Sequence, residues 1–212
     1  MATLRVQKQF NGEKMKFYTI ILIASIIVLA GCGADDIENN RGGDNMNPIA
    51  VFDTSMGEFK IELFEDKSPI TAGNFKKLVQ ERFYDGTKFH RVIKGFMNQG
   101  GDPLTKDNSQ QARWGTGNPG YAIKDEFIEG LSNVRGTISM ANSGPNSGGS
   151  QFFLNVVDNI QLDWDKPPAQ SKHPVFGKVT GGMEVVDAIN SVQTVSGDRP
   201  QEEVVINKII IE

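Results

Sequence analysis

Apolar and polar positions begin to alternate at residue 49. Ile49 and Val51, then Phe59, Ile61 and Leu63, alternate with Ala50, Lys60 and Glu62, and Thr54, Ser55, Met56 and Gly57 lie between them. The pattern predicts a β-hairpin with one buried face. Ser68 and Pro69 then open a helix, Ser suiting the N-cap and Pro the first turn. Its predicted buried face carries Ala72, Phe75, Leu78, Val79 and Arg82, with Lys76, Lys77, Gln80 and Glu81 outside. Short β-like runs follow at 88–93, 96–99, 136–140, 151–157 and 174–179, a short helix at 183–190, and a β-branched strand at 204–211. Many short strands, Gly-rich connections and two helices indicate a β-barrel or sandwich with helical caps. Full closure suits it, because a long edge such as 204–211 invites aggregation unless paired. No internal repeat interrupts 48–212, which reads as one domain.

The N-terminus has a different pattern. Residues 17–31 form an uncharged, mostly apolar run preceded by Lys14 and Lys16. The run is shorter than the roughly 20 residues a spanning helix needs. It has the basic and apolar regions of a secretory signal. Leu29, Ala30, Gly31 and Cys32 then resemble the lipobox of bacterial lipoproteins, where the Cys thiol is acylated and the preceding peptide bond is cut. An ordinary signal peptide with an incidental Cys is the alternative, but the chain's single Cys stands where that run ends. Met15 also reads as a natural start, which makes 1–14 an upstream extension. Residues 33–47 hold little to bury and several Gly and Asn, as expected of a flexible tether of roughly 20 Å. The expectation is an exported domain held at a membrane by acyl chains on Cys32 rather than by its own surface. Gly33 follows the Cys, so no Asp marks inner-membrane retention.

Composition narrows the function classes. The chain has 212 residues, 38% hydrophobic and 23% charged, with 23 Gly and 9 Pro. That mix excludes collagen-like, coiled-coil and broadly disordered readings. The formal net charge is −4, and the basic excess lies before Cys32, so the remainder is more acidic still. An acidic body without a basic stripe argues against nucleic-acid binding, which rests on neutralising phosphates. One Cys makes neither an internal disulfide nor a multi-cysteine zinc site.

Several motifs fail on context. Gly115, Gly117 and Gly120 match a dinucleotide fingerprint, but no strand precedes them and Pro119 falls inside. Lys94-Gly95-Phe96 has the start of an RNA-recognition strand without its later aromatics. No Gly-x-Ser-x-Gly elbow occurs. The two histidines, His90 and His173, are far apart in sequence and too few for a metal centre or triad. No cofactor and no metal are expected.

Two stretches carry chemistry: FHRVIKGFMNQGGDP at 89–103, and 136–155, which includes SMANSGPNSGGSQFF. On a strand Met97 and Gln99 share a face. Arg91 and Phe96 reach it from either side of the Lys94-Gly95 turn, and Phe153, Leu162 and His173 join from later segments. The result is an apolar slot with a cationic donor at its rim. Taken singly the same residues read as ordinary core, with Arg91 a solvated surface group and Gln99 and His173 outside the slot.

Together with HPVFGKV at 173–179, these segments resemble cyclophilins, the peptidyl-prolyl cis–trans isomerases, and recur in that family's order over 48–212. The resemblance implies a closed eight-stranded antiparallel β-barrel capped by two α-helices. It implies Arg91 as the catalytic Arg, oriented by Gln99. It implies a proline pocket of Phe96, Met97, Phe153 and Leu162, backbone binding by Ala141 and Asn142, and His173 beside the pocket. Three departures stand out. The segment 164–172 is an insertion, Gln161 occupies a position where other members carry Trp or Phe, and Asn98 is more polar than the usual aliphatic. Gln161 lowers the expectation of tight cyclosporin binding. The expected partners are proline-containing unfolded or extended polypeptides, exported chains by location, with a monomer as the default state. The competing readings are a tethered non-catalytic module that holds proline segments, and a structural envelope lipoprotein.

Overall fold

Phe52 lies opposite Phe59 and Ala50 opposite Ile61 where β1 (Ile49–Thr54) pairs with β2 (Gly57–Leu63). The computed structural model describes residues 46–167 and 172–212. The signal run, Cys32 and nearly all of the expected tether lie outside the described residues, as do 168–171 of the insertion. The hairpin is where the pattern predicts it, but its first strand is in the opposite phase. Ala50 and Phe52 enter the core with no exposed surface, whereas Val51, also buried, faces away from that cluster. The cause is that the outward positions Ile49 and Val51 are apolar too, with Val51 itself buried, so the polarity of β1 does not report which side is the core.

α1 (Pro69–Gln80) buries Ala72, Phe75, Leu78 and Val79 as the spacing predicts. Two details differ. The Ser68 hydroxyl makes no cap and donates instead to the Val175 carbonyl at 3.3 Å. The orphan N–H groups of Ile70 and Thr71 are taken by the Glu126 carboxylate at 3.3 and 3.0 Å, a cap supplied from a distant loop. Arg82 is not on the helix: it adopts a left-handed φ of 56° past the C-cap and is mostly exposed, beside Asp85.

The remaining strands are β3 (Arg91–Ile93), β4 (Met97–Gly100), β5 (Thr137–Met140), β6 (Phe152–Asn155) and β7 (Val175–Gly181). After α2 (Met183–Asn190) come β8 (Thr194–Val195), β9 (Arg199–Pro200) and β10 (Ile206–Ile211). Eight strands form one sheet in the order β10-β1-β2-β7-β5-β6-β4-β3, every neighbouring pair antiparallel. β8 and β9 pair as a separate small hairpin.

The expected closed barrel is not formed. The sheet curls into a half-barrel, with β10 and β3 as its edges. Residues 86–89 run along β10 with a single bridge, Lys88 to Val205, flanked by Phe89 N–H to Val204 O at 2.9 Å. The chain then turns into β3, which is three residues long, and the outward Val92 N–H goes to Asp198 O at 2.7 Å instead of to β10. A strand so short cannot complete a ladder, so the edge is covered by the β8–β9 hairpin.

The concave side holds the core. Phe52, Phe59, Phe75, Tyr84 and Phe152 pack with ring centroids 4.5–6.0 Å apart, in stacked and edge-on pairs. α1 packs on β10 and β7, and α2 on β2, β4 and β3. A second, smaller apolar group of Met97, Phe153 and Leu162 lies apart from this core, with Ile93, Phe96 and Ala141 packed against it. Strand alternation makes the separation: Asn98 and Leu154 point inward, so Met97, Gln99 and Phe153 must point outward.

Candidate active site

Arg91, Gln99, Phe153 and Ser139 form one cross-strand row over β3, β4, β6 and β5, each directly opposite the next. Row neighbours have Cβ atoms about 5 Å apart, which brings a guanidinium, an amide and a phenyl ring together without any loop having to be ordered. Met97 lies two positions from Gln99 on the same face. The row and its surroundings line a cleft of about 350 Å³, formed by Arg91, Phe96, Met97, Gln99, Ala141, Asn142, Phe153, Leu162 and His173. The structure thus brings together all nine residues named from the sequence for this slot. Its floor is apolar and buried: Met97, Phe153 and Leu162 are 2%, 4% and 8% exposed.

Each wall has an identifiable support. Phe96 rides on the turn between β3 and β4, whose Gly95 takes a positive φ of 69°. Asn190, near the end of α2, accepts from Gly95 N at 2.8 Å and donates to Ile93 O at 2.9 Å and Asn98 Oδ1 at 2.8 Å. Asn98 is fully buried and donates to Val186 O at 2.9 Å. Its polarity, unusual for this sequence motif, is therefore a staple between β4 and α2. From the other side Asn159 Nδ2 donates to Phe96 O at 2.9 Å. Leu162 sits on a short 3₁₀ turn, Ile160–Leu162, and its carbonyl accepts from His173 N at 3.1 Å. His173 stands edge-on to Phe153, centroids 5.2 Å apart, and its Nδ1 lies 3.1 Å from Met140 O. A carbonyl only accepts, so Nδ1 carries the proton. Burial pushes this imidazole below its ordinary value of 6.5, opposed by the bond to Met140. Asn142 Nδ2 donates to Lys172 O at 2.8 Å, joining the 141–144 segment to the end of the insertion.

Arg91 Nη1 lies 3.4 Å from Gln99 Oε1, a long contact of the kind that tightens around substrate. Gln99 Nε2 donates to Gln151 Oε1 at 3.0 Å, and Gln151 Nε2 donates to Gly117 O at 2.8 Å and Gly115 O at 3.0 Å. Behind that loop lies the fully buried carboxylate of Asp102, which accepts from the backbone N–H groups of Leu104, Gly115 and Gly117. A Cβ at Gly117 would lie 2.0 Å from Asp102 Oδ1, so only Gly fits there. The apparent phosphate loop at 115–120 does cradle an anion, but the anion is the protein's own Asp102.

Sequence reasoning missed Gln151, Asp102, Asn159 and Asn190 as supports. Gln151 lies inside the SMANSGPNSGGSQFF segment and was within reach. Asp102 likewise lies inside the FHRVIKGFMNQGGDP segment, with its partners 2 to 15 positions on. Asn159 and Asn190 carry no local signal, since the strand-turn groups they hold are dozens of positions away. His90 is a further buried group, 6% exposed, and neither ring nitrogen has a hydrogen-bond partner among the described residues. It belongs behind the site rather than in it.

Residues 49–211 match the family model described as cyclophilin type peptidyl-prolyl cis-trans isomerase/CLD. The chain is 42% identical over 159 residues to the peptidyl-prolyl cis-trans isomerase CYP18-1 of Arabidopsis thaliana, covering 74% of this chain and 92% of the relative. It is 43% identical over 157 residues to the peptidyl-prolyl cis-trans isomerase-like 1 of Aspergillus fumigatus, covering 74% and 90%. Among solved structures, a cyclophilin type peptidyl-prolyl cis-trans isomerase of Cryptosporidium parvum superposes with a TM-score of 0.67 at 32% identity, covering 77% of this chain and 96% of that one. A structure of the same Cryptosporidium protein in the presence of the dipeptide Ala-Pro matches with TM-score 0.67 at 31% identity, covering 77% and 98%.

Proposed function

The chain belongs to the cyclophilin-type peptidyl-prolyl cis–trans isomerases, and from that premise we propose how its own residues turn the bond and where in the cell it acts. The activity is acceleration of X–Pro rotation. The uncatalysed barrier is about 18–20 kcal/mol, because the amide has partial double-bond character, and exchange takes tens of seconds. Millisecond turnover needs on the order of 10⁴-fold, or roughly 5–6 kcal/mol. One fixed charged donor in a water-poor site supplies about 3–4 kcal/mol. No nucleophile and no base are required.

The step is differential binding. As the C–N bond twists, conjugation is lost and the proline nitrogen gains a lone pair. Arg91 donates to that nitrogen in the twisted amide and scarcely at all in the planar one, so the interaction lowers the barrier rather than merely raising affinity. Phe96, Met97, Phe153 and Leu162 hold the pyrrolidine ring and exclude water. Backbone groups of Ala141 and Asn142 pin one side of the bond while the other rotates. Arg suits the task better than Lys because its planar fork can touch Gln99 and substrate together. The observation that carries the reading is the placement of Arg91, directly across from Gln99 and at the rim of an open apolar cleft. A protease-coupled or NMR-exchange assay on an Ala-Pro peptide tests it: catalysed exchange that depends on Arg91 supports it, and exchange indifferent to Arg91 overturns it.

The sequence supports a second part of the proposal, export and lipid anchoring through Cys32. A short apolar run with basic residues before it, ending at the chain's single Cys, is the observation behind it. Its substrates would then be exported chains still folding at a membrane face. Metabolic labelling with palmitate in a bacterial host tests this. Label and membrane association that vanish in Cys32→Ala support it, and a soluble, unlabelled full-length protein refutes it.

A further inference from the structure

The β8–β9 hairpin approaches β3 from the side away from β4, and its tip is built in an unusual way. Gly197 and Asp198 both take left-handed φ values, 81° and 59°, and Asp is among the few non-Gly residues that tolerate that region. The turn aims Asp198 at β3 twice. Its carbonyl accepts from Val92 N at 2.7 Å, and its Oδ2 lies 3.5 Å from Arg91 Nε. The Arg91 and Asp198 side chains are 43% and 47% exposed. A pair so exposed adds little to stability, so the fold itself does not call for a charge at this position.

Its consequence falls on the guanidinium. Gln99 engages Nη1 from β4, and Asp198 engages Nε from the opposite side. Together they bracket one plane and leave Nη2 as the nitrogen that neither contact uses. Arg carries one of the largest side-chain entropies, and an unbraced guanidinium at a half-open rim would spend most of its time misdirected. We propose that Asp198 is a positioning residue for the isomerase reaction: it braces the guanidinium of Arg91 so that a fixed N–H edge faces the twisting amide. The proposal rests on the role assigned to Arg91 above.

The test uses the full chain and a double-mutant cycle. Asp198→Gly keeps the left-handed turn and removes the carboxylate, Asp198→Asn keeps shape and an acceptor oxygen, and Arg91→Ala removes what is braced. Exchange is followed by NMR on an Ala-Pro peptide, with thermal melting as the check on folding. Asp198→Gly is expected to lower kcat about fivefold with KM within twofold, Asp198→Asn to recover part of that loss, and Asp198→Gly to change nothing further in the Arg91→Ala background. Unchanged kcat in Asp198→Gly overturns the proposal, and so does an equal loss in both backgrounds or a loss confined to KM. Arg91→Ala on its own reports on the functional reading: full activity there removes that reading, whereas lost activity there with an inert Asp198→Gly removes only the brace.

Discussion

Gln99 and Gln151 are joined amide to amide, Nε2 to Oε1 at 3.0 Å, although 52 residues separate them. The bond connects the strand that faces Arg91 to the 115–117 loop held on Asp102. The orientation of the Gln99 amide is thereby set: with Nε2 committed to Gln151, Oε1 is the atom left to face the guanidinium.

Arg91→Ala is expected to lower kcat/KM by at least about 100-fold, or roughly 2.7 kcal/mol of barrier. The side chain is half-exposed and outside the core, so the melting temperature should stay within a few degrees. Arg91→Lys should recover little, since a point charge cannot reach Gln99 and substrate at once. Turnover measured beside a thermal melt decides both statements.

Gln151→Ala removes the link that orients Gln99. It leaves the Gly115 and Gly117 carbonyls to water and lets the Gln99 amide flip, presenting N–H groups to a cation. The expected loss in kcat/KM is about tenfold, about 1.4 kcal/mol. If Gln151→Ala turned over like the parent protein, the chain of amides would have no part in aligning Arg91.

Asn190→Ala should act on stability first. It strands Asn98 Oδ1 in a buried setting and takes the partner from the part-buried Gly95 N and Ile93 O, for an expected cost of about 1–3 kcal/mol. Activity should fall as well, because the same bonds hold the turn that carries Phe96. Chemical denaturation with parallel turnover measurements checks the pair; an unchanged denaturation midpoint would contradict the stapling role.

Both histidines predict a pH dependence of stability. Burial pushes His90 below its ordinary 6.5, partly opposed by the Asp102 carboxylate, and burial lowers His173 likewise. The unfolded chain therefore binds protons first as pH falls. Stability present above about 6.5 should be lost progressively below it, until the folded imidazoles titrate too. Glu62 and Glu203, held low by bonds to Asn47 and Lys88, add their own loss only below their ordinary 4.5. Denaturation midpoints between pH 8 and pH 5 should decline in the parent protein and flatten in a His90→Gln/His173→Gln double variant.

Particular residues show where sequence reasoning reached and where it stopped. The helix 183–190 has the bounds expected, and Ala72, Phe75, Leu78 and Val79 are buried, because a helix with one wet face writes its packing into a 3.6-residue period. β1 is apolar on both faces over 49–52, so its period does not say that Ala50 and Phe52, not Ile49 and Val51, face the core. Ser68 holds the N-cap position that the sequence predicts, its carbonyl accepting from Ala72 N, but its hydroxyl turns elsewhere and Glu126 arrives from a distant loop to take the free N–H groups. Edge avoidance and the family resemblance both point to a closed barrel, yet the edge is covered by a hairpin with no periodic signal in its few residues.

The sequence by itself determined the slot: which residue types floor it, that an Arg and an amide share its rim, and the family to which the motifs point. Local alternation puts Met97 and Gln99 on one face, and the resemblance carried by the three motifs in order supplies the rest. The tertiary structure alone decided what holds the slot in shape. Asp102 under the glycine loop, Asn190 beneath the Phe96 turn and Asp198 beside Arg91 act through hydrogen bonds and charge across long chain separations. Such contacts depend on the path of the folded chain, and a side chain's identity does not reveal which distant backbone it will meet.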